Sequence, residues 1–299
     1  MDGVINIIKP PGMTSSNVVV DVRRLFHVKK VGHTGTLDPG AAGVLPICIG
    51  KATKLFDYLV NKDKEYVCEI AFGSATDTFD AYGAITDSGR NVSKAELLST
   101  LNRFIGPQEQ LPPMFSAVNY QGKKLYQLAR EGQTVVPEER RRKIDIYALD
   151  FIEQTMVNRF LFHIHCSKGT YIRTLCMDIA GELQTCAYMS FLLRTRAGPF
   201  ALESALTLAQ AEKLRDAGAL ETAIMPVEQV LRALPEVCVN KSMQKRILNG
   251  NPIEQEFVDH VISGDVRIYC DGLFIGIGTF VHDLLTIKTM FADTSKKEV

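Results

Sequence analysis

The residues best placed for chemistry lie in the stretch Gly32-His33-Thr34-Gly35-Thr36-Leu37-Asp38-Pro39-Gly40-Ala41-Ala42-Gly43, with Asp38 at its centre. Asp38 is the only acidic residue between positions 22 and 56, where Arg23, Arg24, Lys29, Lys30, Lys51 and Lys54 also fall. Glycines at 32, 35, 40 and 43 permit backbone angles closed to other residues and let a ligand approach closely. Pro39 biases Asp38 towards extended backbone and away from a helix. The chemistry on offer is that of one carboxylate on a bent, uncrowded loop, with positive charge nearby to attract a polyanion. Asp-Pro and paired glycines are also ordinary turn punctuation, so these residues alone leave a purely structural turn open.

Several elements must position that loop. Val4-Ile5-Asn6-Ile7-Ile8 reads as a buried strand ended by Lys9-Pro10-Pro11-Gly12. Thr14-Ser15-Ser16 can cap a helix whose apolar positions 18, 19, 22, 25 and 26 share one face. Positions 64–73 form a strand with Tyr66, Cys68, Ile70 and Phe72 on one side by the period of two. Ser93 and Glu96 make a capping box for a helix with Leu97, Leu98, Leu101, Phe104 and Ile105 inward, ended by Gly106-Pro107. The chain then reads as loop-like and basic over 111–147, a length that points to function in a compact domain. Positions 159–166 alternate as a strand with His163 and His165 on one face, and Thr207 with Gln210 caps a further helix. Beyond Ala233-Leu234-Pro235 the runs are short, with a β-hairpin over 266–278 turning at Asp271-Gly272, and the charged tail 293–299 reads as disordered.

Composition narrows the possibilities. The 299 residues suffice for one large domain and a small one, and 46% hydrophobic with 23% charged residues is ordinary for a soluble protein. The formal net charge is zero, so any polyanion site comes from local segregation of charge, as over 22–56. Seven cysteines, with no C-x-x-C pair, point to reduced thiols and a cytoplasmic setting. No apolar run is long enough for a membrane span. Gly43 and Gly50 are separated by six residues where the motif has four, and Ala52 follows Lys51, which rules out a phosphate-binding G-x-x-x-x-G-K-[ST] loop. Asp77 with Asp80, and His163 with His165, lack further ligands at supporting spacing, so no metal is expected.

Longer motifs carry a resemblance. Gly32-His-Thr-Gly-Thr-Leu-Asp38-Pro, followed by Gly43-Val-Leu-Pro-Ile-Cys-Ile-Gly-Lys-Ala-Thr-Lys54, resembles the signature of the bacterial tRNA pseudouridine synthase B (TruB) family. Lys9-Pro10-Pro11-Gly12-Met13-Thr14-Ser15, Thr76-Asp77-Thr78-Phe79-Asp80-Ala81-Tyr82-Gly83, Gly169-Thr170-Tyr171-Ile172-Arg173-Thr174-Leu175 and the motif over 191–200 are similar to further family motifs. The resemblance implies a mixed α/β fold around a largely antiparallel sheet. A catalytic domain would span 1–233, with an RNA-binding insertion at 111–147, and a PUA-like RNA-binding domain 234–299. It implies that Asp38 is the nucleophile, that Arg173 pairs with it, and that Tyr66 contacts the target base and helps remove its C5 proton. His33, Tyr171 and Leu192 would bind the flipped nucleotide. Lys9, Lys123, Lys124, Arg140, Arg141, Arg142 and Arg194 would hold RNA phosphates. The chain departs from the family at Tyr188, often histidine, and at Leu193-Arg194, often two basic residues.

The implied reaction converts uridine to pseudouridine in the T loop of tRNA (position 55), with no cofactor and no metal. The enzyme would act as a cytoplasmic monomer without a protein partner or a membrane. An RNA-binding or RNA-folding protein without catalysis is the alternative from another class. A glycoside hydrolase would normally need two acids in its site, and the motifs supply one acid paired with an arginine.

Overall fold

Ten strands form one sheet in the computed structural model, which describes residues 2–135 and 138–293. Positions 136 and 137 of the basic insertion, and 294–299 of the expected disordered tail, lie outside the described residues. In chain order the strands are β1 (Gly3–Lys9), β2 (Val31–His33), β3 (Ala42–Ile49), β4 (Lys64–Phe72), β5 (Gly106–Gln110), β6 (Arg142–Met156), β7 (Arg159–Cys166), β8 (Ala187–Ala197), β9 (Phe200–Ala201) and β10 (Ile224–Pro226). Across the sheet they run β10-β1-β3-β8-β4-β7-β6-β5, with β9 paired to β8 and β2 to β3. Every pairing is antiparallel except β3 with β8, where Ala42 faces Leu193 and Gly43 faces Arg194.

That parallel junction is short, and the two backbones meet closely at Gly43. A Cβ on Gly43 would meet the Arg194 carbonyl oxygen at 2.2 Å, and Gly43 has a φ of +113°. Only glycine satisfies both conditions. Gly43 is opposite Lys9 on β1 and Arg194 on β8, so two cations flank the start of β3.

Helices cover the sheet where the apolar patterning requires. Helix α1 (Ser15–Phe26) is opened by a Thr14–Asn17 capping box and buries Val18, Val19, Val22, Leu25 and Phe26. These pack on Ile5, Ile7, Leu45, Ile47 and Ile49 of β1 and β3. Helix α2 (Lys94–Leu101) starts at the Ser93–Glu96 box, and α4 (Ile172–Glu182) runs beside it. Both bury apolar residues against Tyr66, Cys68, Ile70 and Phe72 of β4. Between them in sequence, α3 (Leu125–Arg130) belongs to the insertion, and α5 (Leu208–Asp216) is capped by Thr207 with Gln210.

Two expectations need correction. Leu98 and Ile105 face outward rather than into the core: Leu98 lies about 100° round α2 from Leu97, which with Leu101 forms the buried face, and Ile105 follows a short 3-10 turn at 102–104 that breaks the helical phase. The 111–147 segment is not loop-like throughout. It contains α3 and a small hairpin, and from Arg142 onward it is strand β6. The burial of Ile144, Ile146 and Leu149 sets that strand, a signal masked in sequence by the four cations before it.

The last part of the chain forms a five-stranded sheet: β11 (Glu236–Val239), β12 (Ile253–Glu254), β13 (Asp265–Cys270), β14 (Leu273–Val281) and β15 (Leu284–Met290), ordered β11-β13-β14-β15-β12. Ile277 and Phe291 pack with Val4, Val44 and Cys48 of the large sheet. Lys51 Nζ donates to the carbonyls of Phe291 (3.1 Å) and Ala292 (3.4 Å), and Lys54 Nζ to that of Met290 (3.0 Å). All seven cysteines are free thiols, and among the described residues no helix is long and apolar enough to cross a membrane.

Gly43→Ala tests the close junction. It is expected to destabilise by about 3 kcal/mol or more in urea unfolding, against about 1 kcal/mol for loss of the α1 cap in Thr14→Ala. Similar costs for the two variants would contradict the close approach of β3 to β8.

Candidate active site

Buried donors fix the backbone around Asp38 on both sides. Lys9 Nζ, fully buried, donates to the carbonyls of Met13 (2.7 Å), Pro10 (2.9 Å) and Pro39 (3.1 Å). Ser15 Oγ accepts from the Leu37 amide (2.9 Å) and donates to the Leu37 carbonyl (3.1 Å). Arg194, also buried, donates from Nε to Val44 O (2.7 Å), from Nη2 to Gly35 O (3.1 Å) and from Nη1 to Thr36 O (3.5 Å). The loop is therefore rigid, and the Asp38 side chain remains 34% exposed at its tip.

Arg173 reaches that carboxylate from the first turn of α4. Its Nε donates to Asp38 Oδ2 (2.8 Å) and its Nη2 to Oδ1 (3.1 Å), a two-pronged charge-assisted pair. Two further N–H groups donate to the carbonyls of Thr78 (2.9 Å, from Nη1) and Phe115 (2.9 Å, from Nη2). Arg173 is 3% exposed, so this guanidinium has no rotational freedom left. Lysine could not supply such a fork.

Asp38 opens onto a narrow cleft lined also by Gly40, Tyr82, Met189, Phe191 and Leu192. Tyr66 is buried beside it, and its hydroxyl interacts with Arg194. Burial pushes the Tyr66 phenol up to about 12, with Arg194 opposing, so at neutral pH the hydroxyl is protonated. His33, on β2, accepts from the Gly35 amide at Nδ1 (3.4 Å). Burial and then the Arg194 charge push its imidazole below its ordinary value. Tyr171 caps α4, is gripped at its amide and carbonyl by Gln110, and packs on Val118, Leu125 and Leu128 of the insertion. Asp80 also lines the cleft, but its Oδ1 is engaged by Thr78 Oγ1 and the Tyr82 amide, and Asp77 Oδ1 accepts from the Ala84 amide. Both aspartates shape that loop.

The cations expected at RNA phosphates divide. Lys9 and Arg194 do not reach the surface: carbonyl groups surround them, and their part is to hold the Asp38 loop. Burial brings Lys9 down to about 8 against the pull of Asp38. Lys123 pairs with Glu131, Arg141 with Glu138, and Arg142 lies over the Tyr171 ring at 5.7 Å. Arg140 is exposed and Lys124 half-buried. Both ion pairs are exposed, a class of pair worth little energy, which leaves these side chains free to exchange partners. A separate cavity of ≈ 330 Å³ is lined by Lys29, Lys30, Lys51 and Lys54, with Asp2 beside them. His163 lies between Glu65 and Asp150, and His165 binds Asp63 (2.5 Å), so both are packing histidines. Among the described residues no group of three or more His, Cys, Asp or Glu is arranged to hold a metal ion.

Sequence reasoning missed Tyr82 and Phe191 as cleft walls. Their only signal was aromatic character at exposed positions in two motif segments.

The chain is similar to known proteins along most of its length. Residues 23–172 match the model "TruB family pseudouridylate synthase (N terminal domain)". Residues 173–232 match "tRNA pseudouridylate synthase B C-terminal domain", and 235–285 match "Pseudouridine synthase II TruB, C-terminal". The tRNA pseudouridine synthase B of Pelotomaculum thermopropionicum is 46% identical over 85% of this chain and 81% of that protein. That of Caldanaerobacter subterraneus is 42% identical over 97% and 99%. Among solved structures, a Cbf5-Nop10-Gar1 complex matches with TM-score 0.76 and 26% identity, over 98% of this chain and 86% of that one. An H/ACA RNP bound to a substrate RNA containing 2'-deoxyuridine matches with TM-score 0.74 and 25% identity over the same shares.

The Asp38–Arg173 pair sets a test on stability. Arg173→Met strands the Thr78 and Phe115 carbonyls and the Asp38 carboxylate and is expected to cost about 3 kcal/mol in urea unfolding. Asp38→Asn turns an amide donor towards a buried guanidinium that has lost its counter-charge and is expected to cost a similar amount, about 3 kcal/mol. A loss below about 1 kcal/mol in both variants would contradict the account of Arg173 as the buried hub.

Proposed function

The chain belongs to the TruB family and is a pseudouridine synthase, and from that premise we propose that it isomerises the T-loop uridine of tRNA (position 55) with Asp38 as nucleophile. The observation that carries the assignment of Asp38 is its two-pronged pair with a buried arginine at the edge of a cleft.

The isomerisation breaks the N1–C1′ bond, turns the uracil and joins C5 to C1′. Every atom of the uridine is kept and no electrons are exchanged with another molecule, so the reaction as written calls for no cofactor. The Asp38 carboxylate holds one fragment, ribose C1′ or base, while the bond is exchanged. Arg173 aims it, because both carboxylate oxygens accept from one planar donor. A uridine in a folded loop must leave its stack to reach the cleft, at a cost of a few kcal/mol. Tyr66 and Leu192 offset part of that cost by packing on the base, with His33 and Tyr171 filling space around it. A phenol near 12 is a poor base at neutral pH, so Tyr66 serves C5 deprotonation by passing a proton through water rather than as a phenolate.

RNA phosphates are met by Lys123, Lys124, Arg140, Arg141 and Arg142 of the insertion, and by the lysines around the ≈ 330 Å³ cavity. Tyr171 links the insertion to the site, since it packs on the insertion's own small core two residues before Arg173. The catalytic domain spans 1–233 and a PUA-like RNA-binding domain 234–299. The enzyme works as a cytoplasmic monomer without a protein partner, a setting that suits seven free thiols.

Asp38→Asn is expected to abolish pseudouridine in tRNA treated with the enzyme while leaving tRNA binding within a few-fold. Turnover retained in that variant would remove Asp38 as nucleophile. Replacing Arg140, Arg141 and Arg142 by Gln should reduce the slope of log K against log salt by about 0.7–0.9 for each phosphate no longer neutralised. An unchanged slope would exclude these arginines from the RNA interface.

A further inference from the structure

The cleft beside Asp38 is too narrow to take a nucleotide as it stands. Its free volume is ≈ 10 Å³, about the space one water needs, so no nucleotide enters until a wall moves. Most of the walls are fixed. Asp38 is clamped by Arg173, its loop by Lys9 and Arg194, and the segment from Met189 to Leu192 by pairing of β8 with β4.

Tyr82 is the exception. Its ring lies directly on Gly40, so close that a Cβ there would be 2.0 Å from Tyr82 Cε2. Gly40 has no positive φ, so the ring, not the backbone, is what demands glycine at that position. Yet the Tyr82 side chain is only lightly held. The residue is 68% exposed, and its hydroxyl makes no hydrogen bond among the described residues. Its backbone is held instead: the Tyr82 amide donates to Asp80 Oδ1 (3.0 Å), and the Thr78 carbonyl earlier in the loop is bound by Arg173. A side chain free to rotate on an anchored backbone is the part that can open the cleft. Phe191, 46% exposed, lines the same cleft.

We infer that Tyr82 is a substrate-positioning gate: its ring, lying on Gly40, narrows the cleft beside Asp38, rotates outward as the target nucleotide arrives, and stacks on that nucleotide. Exposed aromatic faces beside a groove take extruded bases in this way, because every base offers a π-face. Tyr82 acts by touching the nucleotide and not in the bond exchange. The inference rests on the reading of the chain as a uridine-isomerising enzyme.

The chain contains no tryptophan, so Tyr82→Trp introduces a single indole reporter. With a stem-loop RNA carrying the target uridine, the Tyr82→Trp enzyme is expected to change fluorescence on mixing, before product appears in a single turnover. Tyr82→Phe should keep kcat/KM within about twofold, because the hydroxyl has no partner. Tyr82→Ala should lower kcat/KM by roughly 5- to 150-fold, the range for loss of one base–aromatic stack, with its unfolding midpoint unchanged. A Tyr82→Ala enzyme with wild-type kcat/KM, or an indole whose emission ignores RNA, would overturn the gate. A wild-type enzyme that makes no pseudouridine in the same RNA would instead sink the functional reading itself.

Discussion

The candidate active site depends on how one guanidinium distributes its hydrogen bonds. Arg173 meets two carboxylate oxygens of Asp38 and the carbonyls of Thr78 and Phe115. Those acceptors come from three loops, and each loop contributes something different: the Asp38 carboxylate, the segment bearing Tyr82, and the start of the basic insertion. A buried arginine tolerates little misplacement, because any donor left unpaired pays its full desolvation cost. Correct placement of the carboxylate therefore brings correct placement of the other two loops with it.

Lys9 and Arg194 extend the same logic to the backbone. Each is buried and donates to three carbonyl oxygens rather than to a carboxylate, and Arg194 also meets the Tyr66 hydroxyl. Burying a cation is costly unless its donors are well satisfied, and three carbonyls apiece provide that. Their charge also bears on the neighbours: Arg194 helps hold the His33 imidazole down and opposes the upward push of burial on the Tyr66 phenol. In a chain with no net charge, the site thus carries its own positive field.

The legible parts of the fold were those with strong local periodicity. Helix α1 with its cap, the alternating face of β4 and the Asp271-Gly272 hairpin follow from spacing alone, because each buries one continuous apolar face. Asp38 was legible as a candidate from its isolation among cations. Its partner was not, since no period relates residues 135 positions apart, and family resemblance alone pointed to Arg173. Lys9 beside Pro-Pro-Gly and Arg194 within Arg-Thr-Arg read as surface cations, because sequence does not reveal which carbonyls a fold will turn inward. Tyr82 escaped notice for a related reason: its ring gains meaning only from the bare Cα of Gly40, brought to it by tertiary packing.

The parallel seam between β3 and β8 has a consequence for how the protein comes into being. The hydrogen bond from Arg194 to Val44 spans 150 residues, and the one from Arg173 to Asp38 spans 135. Pairings of such separation form late, after loop-closure entropy has been overcome. During synthesis the nascent chain carries the complete aspartate motif long before β8 has left the ribosome. The carboxylate gains its guanidinium only when Arg173 has emerged, and its loop gains its last anchors only with Arg194, so the site is assembled once the second half of the chain has been made.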